Sequence, residues 1–358
     1  MDTGPSSPWD DAPDTTKQSI EKAVDHGVPI DSVAFYARWW QLETWLRQLV
    51  YMEFRAKWGV GWVDHLIPAK FQDPRHTPTS RQEQDAEKNA YMATPDATAT
   101  ISYVDVGVLF MLIDDNFELF EPCLPPKKRW DGWVDELLDI RHRSAHCRRP
   151  DTDDLTRIEL ILRNLETGAF KSYMSHNVRG QLADIDPADP VVDAWVMRNH
   201  PDGHLIDHAE RTYDMPIRFE WSKRPWATWK KGEEITGREG FFIHAVYQMN
   251  TAHTTPRRLW GQFSAQHNLV NHTLVFLLID SPYNAEFTFA AIDGGKTVND
   301  SIAGATHGVF SARTGGEIPQ DWMKAWSDLS AGLDHRIIVD SALNLAYPDT
   351  PFPVFAAF

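Results

Sequence analysis

Two residue types that often cooperate in phosphate chemistry lie close together near the middle of the chain. The segment RHRSAH covers residues 141–146, so four residues separate Arg141 from His146. A histidine can move protons near neutral pH, since its unperturbed pKa is about 6.5. An arginine presents a planar fork of donors that matches phosphate oxygens in pairs. Together they suit the cleavage of RNA, whose own 2′-hydroxyl is the nucleophile, and this chemistry needs no metal ion.

Each of these residues also has an ordinary structural explanation. His146 can be a histidine at the C-terminal end of a helix, where the helix dipole favours a positive charge. Arg141 can be a surface salt-bridge residue. His142 is interpreted as an auxiliary polar residue rather than a general base. The other basic residues of this region are candidate RNA contacts or solvated charges: Arg143, Arg148 and Arg149.

Charge is distributed unevenly along the sequence. The formal net charge is −16 over 358 residues, which argues against unspecific coating of nucleic acid because phosphates would be repelled. Residues 127–149, however, contain seven basic and four acidic side chains, so this segment is +3 and the remainder is −19. A localised phosphate site would need such a basic island, although a solvated helix face of mixed charge has the same composition.

Helical signals surround the motif on both sides. After a disordered tail over residues 1–16, apolar residues at spacings of three and four predict an α-helical bundle over residues 17–178. Residues 72–97 are polar, contain several prolines and are predicted to form a loop. Asp151 or Thr152 can cap the last helix of the bundle. The predicted helices are 16–26, 32–58, 102–120, one from about 131 into the motif, and 154–173.

The second half of the chain changes character. Short segments rich in β-branched and aromatic residues predict strands, and one helix is predicted over residues 320–333. A connector is predicted over residues 180–190, where Asp and Pro recur. Residues 191–358 are therefore predicted to be a β-rich domain of unknown role, which makes the chain α+β. The predicted strands are 217–221, 241–249, 273–280, 285–291 and 336–340.

Cysteine use and hydropathy indicate the compartment. Cys123 and Cys147 cannot form a disulfide framework and lack metal-ligand spacing, so a reducing cytoplasm is expected. The sequence predicts neither a signal peptide nor a membrane span. Pro201 and Gly203 interrupt any helix through three histidines that recur every four residues. A polar loop is therefore favoured over a metal site for this set, and no metal or cofactor is predicted: His200, His204 and His208.

The motif and its flanking helices resemble the HEPN superfamily, a set of small helical bundles of which many cut RNA. The family signature is an arginine, usually a polar residue after it, and a histidine four to six positions downstream. Arg141, His142 and His146 fit that signature, and the order of predicted helices over residues 32–173 is also similar to that family. The resemblance implies a HEPN-like bundle in which Arg141 and His146 are catalytic.

The resemblance also implies a homodimer through the N-terminal bundle. Residues five apart on a straight helix differ by about 140° around its axis, so either the helix distorts near Ser144 or a second subunit completes the site. In HEPN proteins two such helices pack across a two-fold axis, which brings both copies of the motif into one cleft. Some members carry a tyrosine, two residues after the histidine, that a partner nucleotidyltransferase modifies. Arg148 occupies that position here, so no such partner is inferred.

The leading functional hypothesis is a metal-independent endoribonuclease that cuts RNA by 2′-hydroxyl attack, in the role of a toxin or antiviral defence effector. The β-rich half would select the RNA, sense a trigger or restrain the nuclease, and a trigger molecule or antitoxin would be a further partner. A second hypothesis is a non-catalytic HEPN module that binds nucleotides or a protein partner. A third is a dimerisation domain that serves an enzymatic C-terminal half.

Overall fold

The computed structural model describes residues 13–68, 81–89, 92, 99–145, 151–264, 268–315 and 334–339. Within these ranges the N-terminal half is helical and the C-terminal half is built on a six-stranded sheet. The predicted α+β class, with a helical bundle followed by a β-rich half, is confirmed. None of the described helices is long and apolar enough to cross a membrane.

The helices of the N-terminal half follow the predicted order, with some different boundaries. The predicted helix over residues 102–120 is divided, because Asp105 caps a new helix start and Asn116 ends that helix after ten residues. One helix lies inside the predicted loop over residues 72–97, where the polar sequence has no apolar stripe. The first helix begins inside the predicted tail. The helices are α1 (Asp14–Asp25), α2 (Ile30–Trp58), α3 (Arg81–Asn89), α4 (Val106–Asp115), α5 (Phe117–Phe120), α6 (Lys127–Ala145) and α7 (Asp154–Asn177).

The sheet has the strand order β1-β2-β3-β5-β4-β6, and every neighbouring pair is antiparallel except β4 and β6. Five strands lie where the composition predicts them, and the predicted connector over residues 180–190 contains the sixth, β1. The strands are β1 (Gly180–Gln181), β2 (Ile217–Lys223), β3 (Phe241–Gln248), β4 (Leu274–Ser281), β5 (Asn284–Ala290) and β6 (Ile337–Val339).

Both faces of the sheet are covered. On β3, Phe242 belongs to the core that the sheet shares with the N-terminal bundle, whereas Ile243 belongs to a second core with the helices of the C-terminal half. Strands buried on two faces have near-continuous apolar sequences, as β4 has. The predicted helix over residues 320–333 lies outside the described residues. The described helices of this half are α8 (His204–Tyr213), α9 (Pro256–Trp260), α10 (Leu269–Thr273) and α11 (Gly295–Ala312).

The long helix α2 lies directly against the sheet. The Tyr51 hydroxyl donates to the carbonyl oxygen of Val275 at 2.9 Å, and Arg55 Nη2 donates to that of Thr273 at 2.6 Å. The helix ends at Gly59, whose φ of 56° is left-handed. A β-carbon at this position would collide with the Asp293 carboxylate. A glycine is therefore needed where α2 meets the C-terminal half.

A fully buried ion pair joins α2 to the end of β2. Arg224 Nε donates to both carboxylate oxygens of Glu53, at 3.1 and 3.0 Å, and both side chains are 0 % exposed. The indole of Trp226 donates to the same carboxylate at 2.6 Å, and Arg224 Nη2 donates to the Ser172 hydroxyl of α7 at 2.8 Å. Burial alone would lower the pKa of Arg224, but the Glu53 carboxylate raises it. Arg224 therefore keeps its charge between bundle and sheet.

Removing one partner of this pair is expected to destabilise the protein. Glu53→Gln leaves the Arg224 charge buried without a counter-charge, which costs about 3–5 kcal/mol of unfolding free energy. Chemical denaturation monitored by tryptophan fluorescence measures the loss. Glu136→Gln, which breaks the solvated pair between Glu136 and Arg157, is the matched control and should cost less than about 1 kcal/mol. Equal stability of the two variants would contradict a central role for the buried pair.

Candidate functional site

The motif lies at the C-terminal end of α6, and the structure describes its first half. Arg141, His142 and Arg143 lie in the last turns of this helix, which is described as far as Ala145. His142 is exposed, whereas Arg141 and Arg143 are partly buried. The described chain resumes at Asp151, just before α7. Three predicted site residues lie outside the described residues: His146, Arg148 and Arg149.

Arg141 is held by a carboxylate at the start of α4. Its Nη2 donates to Asp105 Oδ2 at 2.7 Å, and the other oxygen of Asp105 caps α4 by accepting from the Gly107 amide at 2.8 Å. One acidic side chain therefore both begins a helix and orients the motif arginine. The Arg141 side chain remains 33 % exposed. Arg141 therefore forms a salt bridge, as its ordinary structural explanation predicts. Part of its guanidinium nevertheless remains open to solvent.

Arg143 joins the end of α6 to the start of α7. Its Nε donates to Asp154 Oδ2 at 3.1 Å, and its Nη2 donates to the other oxygen of the same carboxylate. These hydrogen bonds raise the pKa of Arg143. Asp154 is almost fully buried and also accepts from the Asp151 amide at 2.8 Å. Arg143, a predicted RNA contact, is thus paired within the protein.

The predicted cap of α7, Asp151 or Thr152, is wrong. The first residue before α7 is Asp153, and no side chain caps the helix there. The Asp154 carboxylate, inside the first turn, instead accepts hydrogen bonds from Arg143 and from the amide of Asp151. One buried carboxylate therefore binds Arg143 at the end of α6 and the backbone of Asp151 before α7.

Several charges of the basic island are balanced by nearby acids. Lys127 pairs with Asp114 of α4 and with Asp131 one turn along α6, and hydrogen bonds to these two carboxylates raise its pKa. With Arg141 and Arg143 also paired, the local positive potential is weaker than the +3 composition of residues 127–149 predicts. The acidic residues of α4 and α7 lie outside residues 127–149, so the composition of that segment alone does not show that its charges are balanced.

Comparison with known families agrees with this placement of helices and motif. Residues 40–167 match a family model described as Swt1-like HEPN. The N-terminal half carries a HEPN-superfamily domain. The matched range begins within α2, ends within α7 and includes Arg141 and His146, so the HEPN resemblance is confirmed. No curated protein and no solved structure shows significant similarity to the chain.

The three regularly spaced histidines do not converge in the structure. The predicted polar loop is wrong for His204 and His208, which lie on helix α8 because it begins directly after Gly203. Each of their rings bonds a nearby residue of its own segment, and His200 stacks on Trp195. Among the described residues, a different set of side chains comes close enough to share a metal ion: His176, His244 and Glu286. Their sequence separation is too large for any spacing motif, so sequence reasoning missed this group. It lies where the HEPN domain meets the sheet.

Loss of the Asp154 carboxylate is expected to weaken the contact between the end of α6 and the start of α7. Asp154→Ala leaves the Asp151 amide and the Arg143 guanidinium without their acceptor, which costs about 1–3 kcal/mol of unfolding free energy. Thermal unfolding measures the change, and hydrogen exchange should show faster exchange of the Asp151 amide. Asp153→Ala is the matched control, because the Asp153 side chain makes no cap hydrogen bond, and it should cost less than about 0.5 kcal/mol. The stabilising role of this contact is wrong if both variants unfold at the same temperature.

Proposed function

We propose that this chain is a metal-independent endoribonuclease of HEPN type, acting in the cytoplasm as a toxin or antiviral defence effector. The main support for the proposal is that three features occur at one place in the fold. The family match includes the motif, the motif lies at the end of α6, and Arg141 is oriented there by Asp105. Such orientation suits a residue that must receive a phosphate group.

The surroundings of Arg141 favour an anion more than its ion pair alone suggests. The guanidinium lies at the N-terminal end of α4, where unpaired amides and the helix dipole supply further positive potential. Asp105 engages one terminal nitrogen of Arg141, and an arginine has five N–H donors. A phosphate oxygen can therefore bind the exposed side of the guanidinium while Asp105 holds the other side.

The reaction is an internal transesterification of RNA. The 2′-oxygen attacks the adjacent phosphorus, the bond from phosphorus to the 5′-oxygen breaks, and the proton lost by the 2′-hydroxyl balances the proton gained by the leaving oxygen. His146 moves a proton, and Arg141 stabilises the charge that builds on the phosphoryl oxygens. The products are a 2′,3′-cyclic phosphate, or its hydrolysed form, and a 5′-hydroxyl.

The remaining motif residues receive supporting roles in this proposal. Arg148 and Arg149 contact the RNA backbone, and His142 is an auxiliary polar group. Arg143 positions the segment between α6 and α7, which follows from its paired hydrogen bonds to Asp154. The sheet half selects the RNA, senses a trigger or restrains the nuclease, because it packs directly against α2 and α7 of the HEPN domain.

Cleavage is expected to need both motif residues and no divalent metal. Arg141→Ala and His146→Ala should each lower the rate by about two to four orders of magnitude, measured on labelled RNA in the presence of EDTA. A substrate with 2′-deoxyribose at the cut site should resist. Arg141→Lys should restore little activity, because a point charge does not replace a bidentate fork. Asp105→Asn, which can still cap α4, should give an intermediate loss.

The opposite result would identify different chemistry. Unchanged cleavage by the Arg141→Ala/His146→Ala double variant would place the activity elsewhere. Products with 5′-phosphate ends, formed only with added metal, would also exclude the proposed mechanism. Either result would favour the second candidate, a non-catalytic HEPN module that binds nucleotides or a protein partner. The observation in its favour is that Arg141 already has a carboxylate partner within the chain.

We further propose that two copies associate through the N-terminal bundle. The start of α2 exposes Tyr36 and Trp40, at 70 % and 49 % of their surface, and solvent-exposed aromatic residues of this size are suited to an interface. Light scattering should report twice the chain mass of 40.9 kDa. Trp40→Glu should shift the protein toward monomer, whereas Tyr283→Glu, at an exposed aromatic between β4 and β5, should not. A monomeric wild type that still cleaves RNA would contradict this assembly.

A further inference from the structure

A compact group of potential metal ligands lies between the HEPN domain and the sheet. His176 is in the last turn of α7, His244 is on β3, and Glu286 is on the neighbouring strand β5. One ligand atom from each lies within 4.8 Å of the others. Both histidines are buried, at 3 % and 0 % exposure. Glu286 is 15 % exposed, and the group joins an element of each half of the protein.

The histidine nitrogens have the surroundings that metal ligands need. His176 Nδ1 is buried and has no hydrogen-bond partner among the described residues, an arrangement that proteins rarely leave uncompensated. His244 Nδ1 lies 3.2 Å from Glu286 Oε1. Two ligand atoms on one tetrahedral zinc ion, with bonds of about 2.0–2.1 Å, lie about 3.3 Å apart. The observed separation therefore leaves room for a metal ion bound by both.

Neighbouring hydroxyls complete an outer shell around the group. His244 Nε2 lies 2.8 Å from the Ser222 hydroxyl, and metal-bound histidines usually donate their second ring proton to such an oxygen. The Thr288 hydroxyl lies 2.9 Å from His244 Nδ1 and 3.4 Å from Glu286 Oε1. When His244 Nδ1 binds a metal ion, this hydroxyl can donate its hydrogen bond to the Glu286 carboxylate instead.

The charge of Arg179 is the main opposing factor. Its Nη2 donates to Glu286 Oε1 at 2.8 Å, and burial lowers the pKa of Arg179 while Glu286 and Glu220 raise it. Glu220 is itself paired with a second arginine, since Arg218 Nε lies 3.7 Å from Glu220 Oε1. These two carboxylates and two guanidiniums sum to zero, so a bound divalent ion adds two positive charges here. A carboxylate has about four lone-pair sites, so Glu286 can bind Arg179 and a metal ion together.

We propose that His176, His244 and Glu286 bind one zinc ion that holds the C-terminal end of α7 against the sheet. Two imidazoles and one carboxylate form a nitrogen and oxygen set that suits zinc. Calcium and magnesium prefer oxygen ligands alone. Asp154 and His176 are 22 residues apart on one helix, which corresponds to about 33 Å. The zinc site is therefore remote from the motif, and the proposed nuclease chemistry does not depend on it.

Metal analysis of the full-length protein tests the proposal. The protein is stripped by prolonged treatment with a chelator under mild denaturation, refolded with or without zinc, and freed of excess metal. Elemental analysis should then find about one zinc per chain in the wild type and much less in His176→Ala. Zinc at a hundredfold excess over its Kd should raise the Tm of the wild type by about 3–4 °C. His208→Ala, which removes a histidine from α8, is the matched control and should behave as the wild type.

Measurements on the unmutated protein keep the test decisive if a variant fails to fold. Cobalt substitution should give the intense visible absorption of a tetrahedral ion, and X-ray absorption at the zinc edge should show two imidazole ligands. Equal zinc retention in wild type and His176→Ala, or only weak octahedral cobalt absorption, would mean adventitious binding by other histidines and would overturn the proposal. A short EDTA treatment during an RNA assay does not remove a buried ion, so that assay is independent of this one.

Discussion

The buried ion pair between Glu53 and Arg224 determines how the two halves of this protein fit together. A charge pair without access to water tolerates little displacement, because either partner alone is strongly unfavourable there. Glu53 lies on the central helix of the HEPN domain, and Arg224 directly follows β2. Arg224 also binds Ser172 of α7. One guanidinium therefore sets the position of α2 and α7 relative to the sheet, whereas an apolar contact of similar area would allow sliding.

Helix α7 carries this constraint toward the motif. Its first turn contains Asp154, which binds Arg143 of α6, and its later turns contain Ser172 and His176, which face the sheet. Helix α7 therefore contacts the sheet near one end and the motif helix near the other. A ligand or partner that shifts the sheet against α7 would act on the end of α6 through this helix, which gives the sheet half a physical route to regulate the proposed nuclease.

The sequence predicted those features that depend on local patterns. The strands β3, β4 and β5 have β-branched and aromatic runs, and the helix α2 has an apolar stripe, so their positions were predicted within a few residues. Helix α11 was missed because its buried positions include small residues, such as Ala305 and Gly308, that give a weak periodic signal. The three potential zinc ligands and the acids that pair with the motif come together only in the folded chain, and no local pattern indicates them.

The pairing of the motif arginines also suits the proposed action of an acidic protein on RNA. A net charge of −16 repels phosphate at long range, so an exposed cluster of free arginines would gain little and would bind other acids of the same surface. Asp105 and Asp154 instead hold Arg141 and Arg143 in fixed orientations, which reduces the side-chain entropy lost when a phosphate binds. The pairing weakens the electrostatic attraction of these arginines for phosphate, and it does so equally for every RNA sequence. Affinity must then come from contacts that only a correctly placed strand can make, which favours selectivity over tight binding.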